Sequence, residues 1–122
     1  MIVADSSVWI DHLNAEDAQM RKHLNKWEIA MHPFVAGELA LGSLRDRKNM
    51  LEFFDSLPQI DTALTGEVRQ LIETNNLFSR GIGWTDAHLI AAVLLNPGTK
   101  LWTRDKALRR VAEALNCHVP FK

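Results

Sequence analysis

The sequence has one cysteine, Cys117, so no disulfide can close within the chain, which accords with a reducing cytoplasmic setting. No apolar run approaches the length needed to cross a bilayer, so no membrane association is expected. The opening residues Met1-Ile2-Val3-Ala4-Asp5 carry no basic segment ahead of their short apolar run, which argues against a secretory leader. Neither sign of charge predominates: 14 basic against 15 acidic residues give a net charge of −1, which by itself neither selects nor excludes a nucleic-acid partner. Internal repeats and low-complexity tracts are absent. What remains is a chain of 122 residues, 47% hydrophobic and 24% charged, long enough for a single domain over residues 1–122 around one core.

Apolar periodicity divides this chain into short strands and longer helices. Ile2-Val3-Ala4 reads as a buried, central, parallel strand ended by the helix-capping turn Asp5-Ser6-Ser7. Helical spacing recurs over Val8–Leu13 and Asp17–Trp27, and Ile29-Ala30-Met31 is the second strand. Pro33 opens a helix that runs to Gly42, and another spans Arg47–Leu57. Pro58–Asp61 is a short strand candidate suited to a sheet edge, and the helix carrying Val68, Leu71, Ile72 and Leu77 ends in Ser79–Gly83. The most apolar helix is Trp84–Leu95, halted by Asn96-Pro97-Gly98; the strand Lys100–Thr103 and a helix from Asp105 to Leu115 close the pattern. Alternation of this kind predicts an α/β layer fold with a central parallel sheet.

Open parallel sheets bind ligands beyond the carboxyl ends of their strands, which directs attention to Asp5 after the first strand and Asp105 after the last. Asp86 lies in the first turn of the apolar helix, and Glu38 lies among apolar neighbours in the helix begun by Pro33. Each acid alone also has a bland reading, since Asp5, Asp86 and Asp105 can cap or charge a helix N-terminus and Glu38 can be a solvated helix residue.

Taken together, these segments resemble the PIN domains and, among them, the VapC-like toxins. Ile2–Ile10 resembles that family's opening strand and turn, Phe34–Leu39 its second motif, Gly81–Ala91 its most specific motif, and Leu101–Asp105 its last. The resemblance implies a three-layer α/β/α fold and a metal-dependent endoribonuclease, the toxin of a toxin–antitoxin pair. Its Mg²⁺ or Mn²⁺ would be held by Asp5, Glu38, Asp86 and Asp105, an all-oxygen set suited to hard cations. Ser7 and Thr103 would orient those carboxylates. It further implies an RNA substrate, a cognate antitoxin and a homodimer.

Basic residues cluster at Arg45, Arg47 and Lys48 and again at Arg104, Lys106, Arg109 and Arg110; of these, Arg104, Lys106 and Arg109 are the candidate RNA contacts. His88 is read as packing or hydrogen bonding, Asp11 and His12 as surface or structural, the four tryptophans as core, and Cys117 as a small hydrophobe. Two rivals of other classes are a phosphoacceptor receiver domain and a non-enzymatic binding module. The receiver reading needs Asp55 after a strand, yet Asp55 falls within the helical pattern Met50, Leu51, Phe54, Leu57, and serines follow Asp5 where paired acids are required.

Overall fold

In a computed structural model, which describes residues 1–122, three parallel strands form a sheet in the order β2-β1-β3: β1 (Ile2–Ala4), β2 (Ile29–Ala30) and β3 (Lys100–Trp102). β1 is central, with Val3 opposite Ala30 on one side and Leu101 on the other. All three of its residues are buried, as a parallel strand covered on both faces requires.

Seven helices surround the sheet to give the three-layer α/β/α arrangement: α1 (Ser6–Asn14), α2 (Ala18–Asn25), α3 (Pro33–Ala40), α4 (Arg47–Ser56), α5 (Thr65–Thr74), α6 (Trp84–Leu95) and α7 (Lys106–Ala114). α6 buries every residue from Ala87 to Val93 and leaves Trp84, Leu94 and Leu95 exposed at its ends. Trp9 and Trp102 are fully buried, Trp9 meeting Phe54 edge-on at 5.3 Å between ring centroids. No helix is long and apolar enough to cross a membrane.

Two sequence expectations need adjustment, and one sheet contact had not been expected. Pro58–Asp61 makes only a single parallel bridge, Gln59 opposite Met31, in which Met31 N–H donates to Pro58 and Ile60 N–H donates to Met31. A matching bridge on the other edge, Leu101 opposite His118, had no signal in the sequence. The helix through Val68 stops at Thr74 rather than reaching Ser79, because Asn76 and Ser79 take left-handed backbone conformations (φ 51° and 58°) that a helix cannot continue through.

Candidate active site

β1 and β3 end on the same edge of the sheet, and each delivers an aspartate to the start of the next helix. Asp5 is the N-cap of α1: its Oδ1 accepts the Val8 N–H at 3.2 Å and the Ser7 hydroxyl at 2.5 Å, while Oδ2 accepts the Thr103 hydroxyl. Both hydroxyls also accept from the loop between β3 and α7, Ser7 from Arg104 N–H at 3.0 Å and Thr103 from Asp105 N–H at 3.1 Å. A hydroxyl that must donate one way and accept the other has a fixed orientation, so Ser7 and Thr103 set the Asp5 carboxylate against that loop. Asp5 is only 5% exposed, and burial raises its pKa in spite of these hydrogen bonds.

Asp105 caps α7 through Oδ2, which accepts Leu108 N–H at 2.9 Å. Asp86, in the first turn of α6, turns one oxygen back to Gly83 N–H at 3.1 Å. Its pKa is raised, first by burial, with the Gly83 bond opposing, and then by repulsion from Asp105, Asp5 and Glu38. That repulsion places the four acids in one electrostatic neighbourhood. Glu38, exposed on α3, joins it through Ser6, whose hydroxyl donates to Oε2 at 2.8 Å across 32 positions of chain. Ser6 was not singled out by sequence; its only signal was its place in the capping turn. The capping reading of the aspartates is seen directly and does not exhaust them: capping engages Asp86 and Asp105 through one oxygen each and leaves the other without a protein partner. The N-termini of α1, α6 and α7 also lend partial positive charge to an otherwise repulsive group.

The sequence model of the PIN-domain family matches residues 2–114, nearly the whole fold described above. The chain belongs to the PIN-domain family. Two relatives, both named Ribonuclease VapC32 and both from Mycobacterium tuberculosis (strains CDC 1551 / Oshkosh and ATCC 25618 / H37Rv), are each 43% identical to it over 109 residues, covering 89% of this chain and 88% of theirs.

The acids of this PIN domain suit a hard divalent cation in kind and in electrostatics. They offer oxygen only, and Asp5 and Asp86 are held against the preference of a carboxylate for water, a cost that a cation offsets. No three acidic, histidine or cysteine side chains are drawn tightly enough to make a finished cage.

The basic residues are less available than the sequence implied. Arg104 is not a free RNA contact: its guanidinium pairs with Asp11 at 2.9 Å and Asp17 at 2.6 Å and lies 5.4 Å from the centre of the Trp102 ring. Asp11 thus has the structural role expected of it, and His12 Nδ1 accepts Asp17 N–H at 3.0 Å. Arg109 pairs with Glu113 at 2.8 Å along α7, and Arg47 donates to the carbonyls of Ala40 and Gly42 at the end of α3. Lys106 is exposed and makes no ion pair. Trp9 and Trp102 are core, but Trp27 and Trp84 are not, being 57% and 46% exposed. Trp84 stands on the first residue of its helix, and Trp27 follows α2 at a left-handed φ of 56°, so neither shares the buried face.

Proposed function

We propose that this chain, as a single PIN domain over residues 1–122, is a metal-dependent endoribonuclease and the toxin of a toxin–antitoxin pair. The observation that supports it most is the placement of Asp5 and Asp105 at the ends of β1 and β3, with Asp86 close enough to both, and to Glu38, for their charges to raise its pKa. In this reading Asp5, Asp86 and Asp105 hold Mg²⁺ or Mn²⁺, and Glu38 completes the set or takes the proton of the attacking water. Once bound, the cation supplies Lewis-acid stabilisation of phosphoryl charge and makes water more acidic. Ser7 and Thr103 keep the Asp5 oxygens in place through the cycle, Ser6 does so for Glu38, and the buried setting of Asp5 strengthens each charge interaction. Of the candidate RNA contacts, Lys106 is the one free to meet phosphate without giving up an ion pair. A receiver domain is not favoured, since Asp55 lies inside α4.

A toxin needs restraint. A groove of about 220 Å³ between α1 and α3, lined by Ile10, Leu13, Leu39 and Leu44, opens beside Glu38, and Leu41 projects nearby at 90% exposure. An antitoxin segment lying over Phe34, Leu41 and Leu44 could end in an arginine among the four acids, where charge and bidentate geometry both favour it. Self-association as a homodimer belongs to the same reading.

The purified chain should cut single-stranded RNA with Mg²⁺ or Mn²⁺, stop with EDTA, and leave 5′-phosphate ends, because water rather than a ribose hydroxyl attacks. Products ending in 2′,3′-cyclic phosphate, or full activity in Asp86→Asn, would exclude this chemistry.

A further inference from the structure

Among the exposed large hydrophobic residues, Phe34 and Trp84 stand apart because one buried ring joins them. His88, 5% exposed, meets Phe34 at 4.5 Å and Trp84 edge-on at 4.6 Å between ring centroids, and Phe34 also meets His32 edge-on at 5.2 Å. Burial lowers the pKa of both histidines, so these rings are uncharged at neutral pH. Phe34 and Trp84 remain 39% and 46% exposed. Neither belongs to the buried core: α3 buries Val35 and Leu39, and α6 buries Ala87 through Val93.

Their position relative to the acids is fixed by helix geometry. Phe34 and Glu38 are four residues apart on α3, so the two positions share a helix face with an axial rise of about 6 Å between them. Trp84 begins the helix that carries Asp86. Phe34 therefore links the two: it shares a helix face with Glu38 and meets His88, against which Trp84 packs. Charge is not the whole hold on RNA here: the net charge is −1, and Arg104 is tied to Asp11 and Asp17, although Lys106 and Arg110 stay exposed and unpaired on α7. Single-stranded nucleic acid can also be held by stacking its bases on aromatic side chains.

We propose that Phe34 and Trp84, braced by His88, form an aromatic step on which a nucleobase of single-stranded RNA stacks beside the phosphate presented to the acids. The step rests on the nuclease reading for its neighbouring site. It adds the mode of substrate capture: base stacking that tolerates any sequence because every base offers a π face. Trp84 and Phe34 position substrate and take no part in proton transfer.

The test uses the full chain carrying Asp86→Asn to keep RNA intact. Affinity is measured by fluorescence anisotropy for labelled oligoadenylate and for an abasic ribose-phosphate strand of the same length. Trp84→Ala should weaken oligoadenylate binding by between about 5-fold and about 150-fold, the range for loss of one stacked base. Trp84→Phe should retain most of it, Phe34→Ala should weaken it in the same direction, and the abasic strand should be insensitive to all three. Equal loss for both strands would overturn the proposal, as would unchanged affinity in both alanine variants. So would a loss that sedimentation traces to dissociation of a dimer, which would make this face a contact between copies. Wild-type cleavage is scored separately: a chain that stacks adenine but cuts no RNA refutes the nuclease reading, while one that cuts RNA without the aromatic dependence refutes the step.

Discussion

Acidification should destabilise this protein through one side chain more than any other. His32 is 1% exposed, and its Nδ1 caps α3 by accepting Phe34 N–H at 3.0 Å. Burial, with His88 adding to it, takes its pKa from 6.5 down to about 4. Between those values the unfolded chain binds a proton that the folded chain refuses, so stability is lost as pH falls from about 6.5 toward about 4 and levels off below. The gap of about 2.5 units, at about 1.36 kcal/mol per unit, sets a ceiling near 3 kcal/mol, of which about 2 kcal/mol is lost by pH 5. That is a large share of the roughly 5–15 kcal/mol typical of a domain. His12 and His88, also lowered by burial, act in the same sense, whereas Asp5 and Asp86, raised by burial, act in the opposite one. The decisive measurement is therefore a difference: urea unfolding of the wild type and His32→Asn at pH 7 and pH 5. Asparagine still caps the helix, and the smaller side chain should cost about 1–2 kcal/mol at pH 7. By pH 5 the variant should have recovered about 2 kcal/mol relative to the wild type. If the two stability curves run parallel from pH 7 to pH 5, His32 is not the group that titrates.

Arg104→Ala should cost about 1–2 kcal/mol, a figure reduced for the partial exposure of its ion pairs, and Arg104→Lys should recover less than half because one ammonium cannot serve Asp11 and Asp17 as a fork does. The salt dependence of RNA affinity should be unchanged in Arg104→Ala; a shallower slope would return this arginine to the RNA surface. Asp86→Asn should raise the melting temperature of the metal-free protein at pH 7. The folded pKa of Asp86 is raised, so its stabilisation is complete below the unfolded value and lost as pH rises through the folded one. A melting temperature at or below wild type would show that the carboxylate is not under the repulsion described.

Helix periods and caps were legible because they are local. Trp84–Leu95 has the bounds that its apolar run and the Asn96-Pro97-Gly98 stop dictate, and Asp5 and Asp105 stand just past the ends of β1 and β3. The edges of the sheet were not legible, since Gln59 and His118 join it by one bridge each and a lone residue carries no alternation. Side-chain partnerships across the chain were equally hidden. Nothing near Arg104 in sequence announces Asp11 and Asp17, and nothing near Glu38 announces Ser6, because these partners meet only after the helices pack. The tryptophans divided for a similar reason: hydrophobicity says that a ring seeks burial, but the register of α6 decides that Trp84 begins the helix on its open side.

The hydrogen bond from Thr103 to Asp5 spans 98 positions, and β1 finds its neighbour β3 only after most of the chain lies between them. During synthesis, therefore, a ribosome that has released β1, β2 and the first six helices has made a nearly complete α/β layer with an unfinished acidic group. Neither Thr103 nor Asp105 has emerged, and Asp5 lacks one of the hydroxyls that aim it. On the nuclease reading proposed above, an mRNA cut short before β3 would yield a fragment without Thr103 and Asp105 and hence without a complete site. If these acids are the catalytic group, activity would await the docking of β3 and α7, which leaves the interval before it for a restraining partner to be at hand.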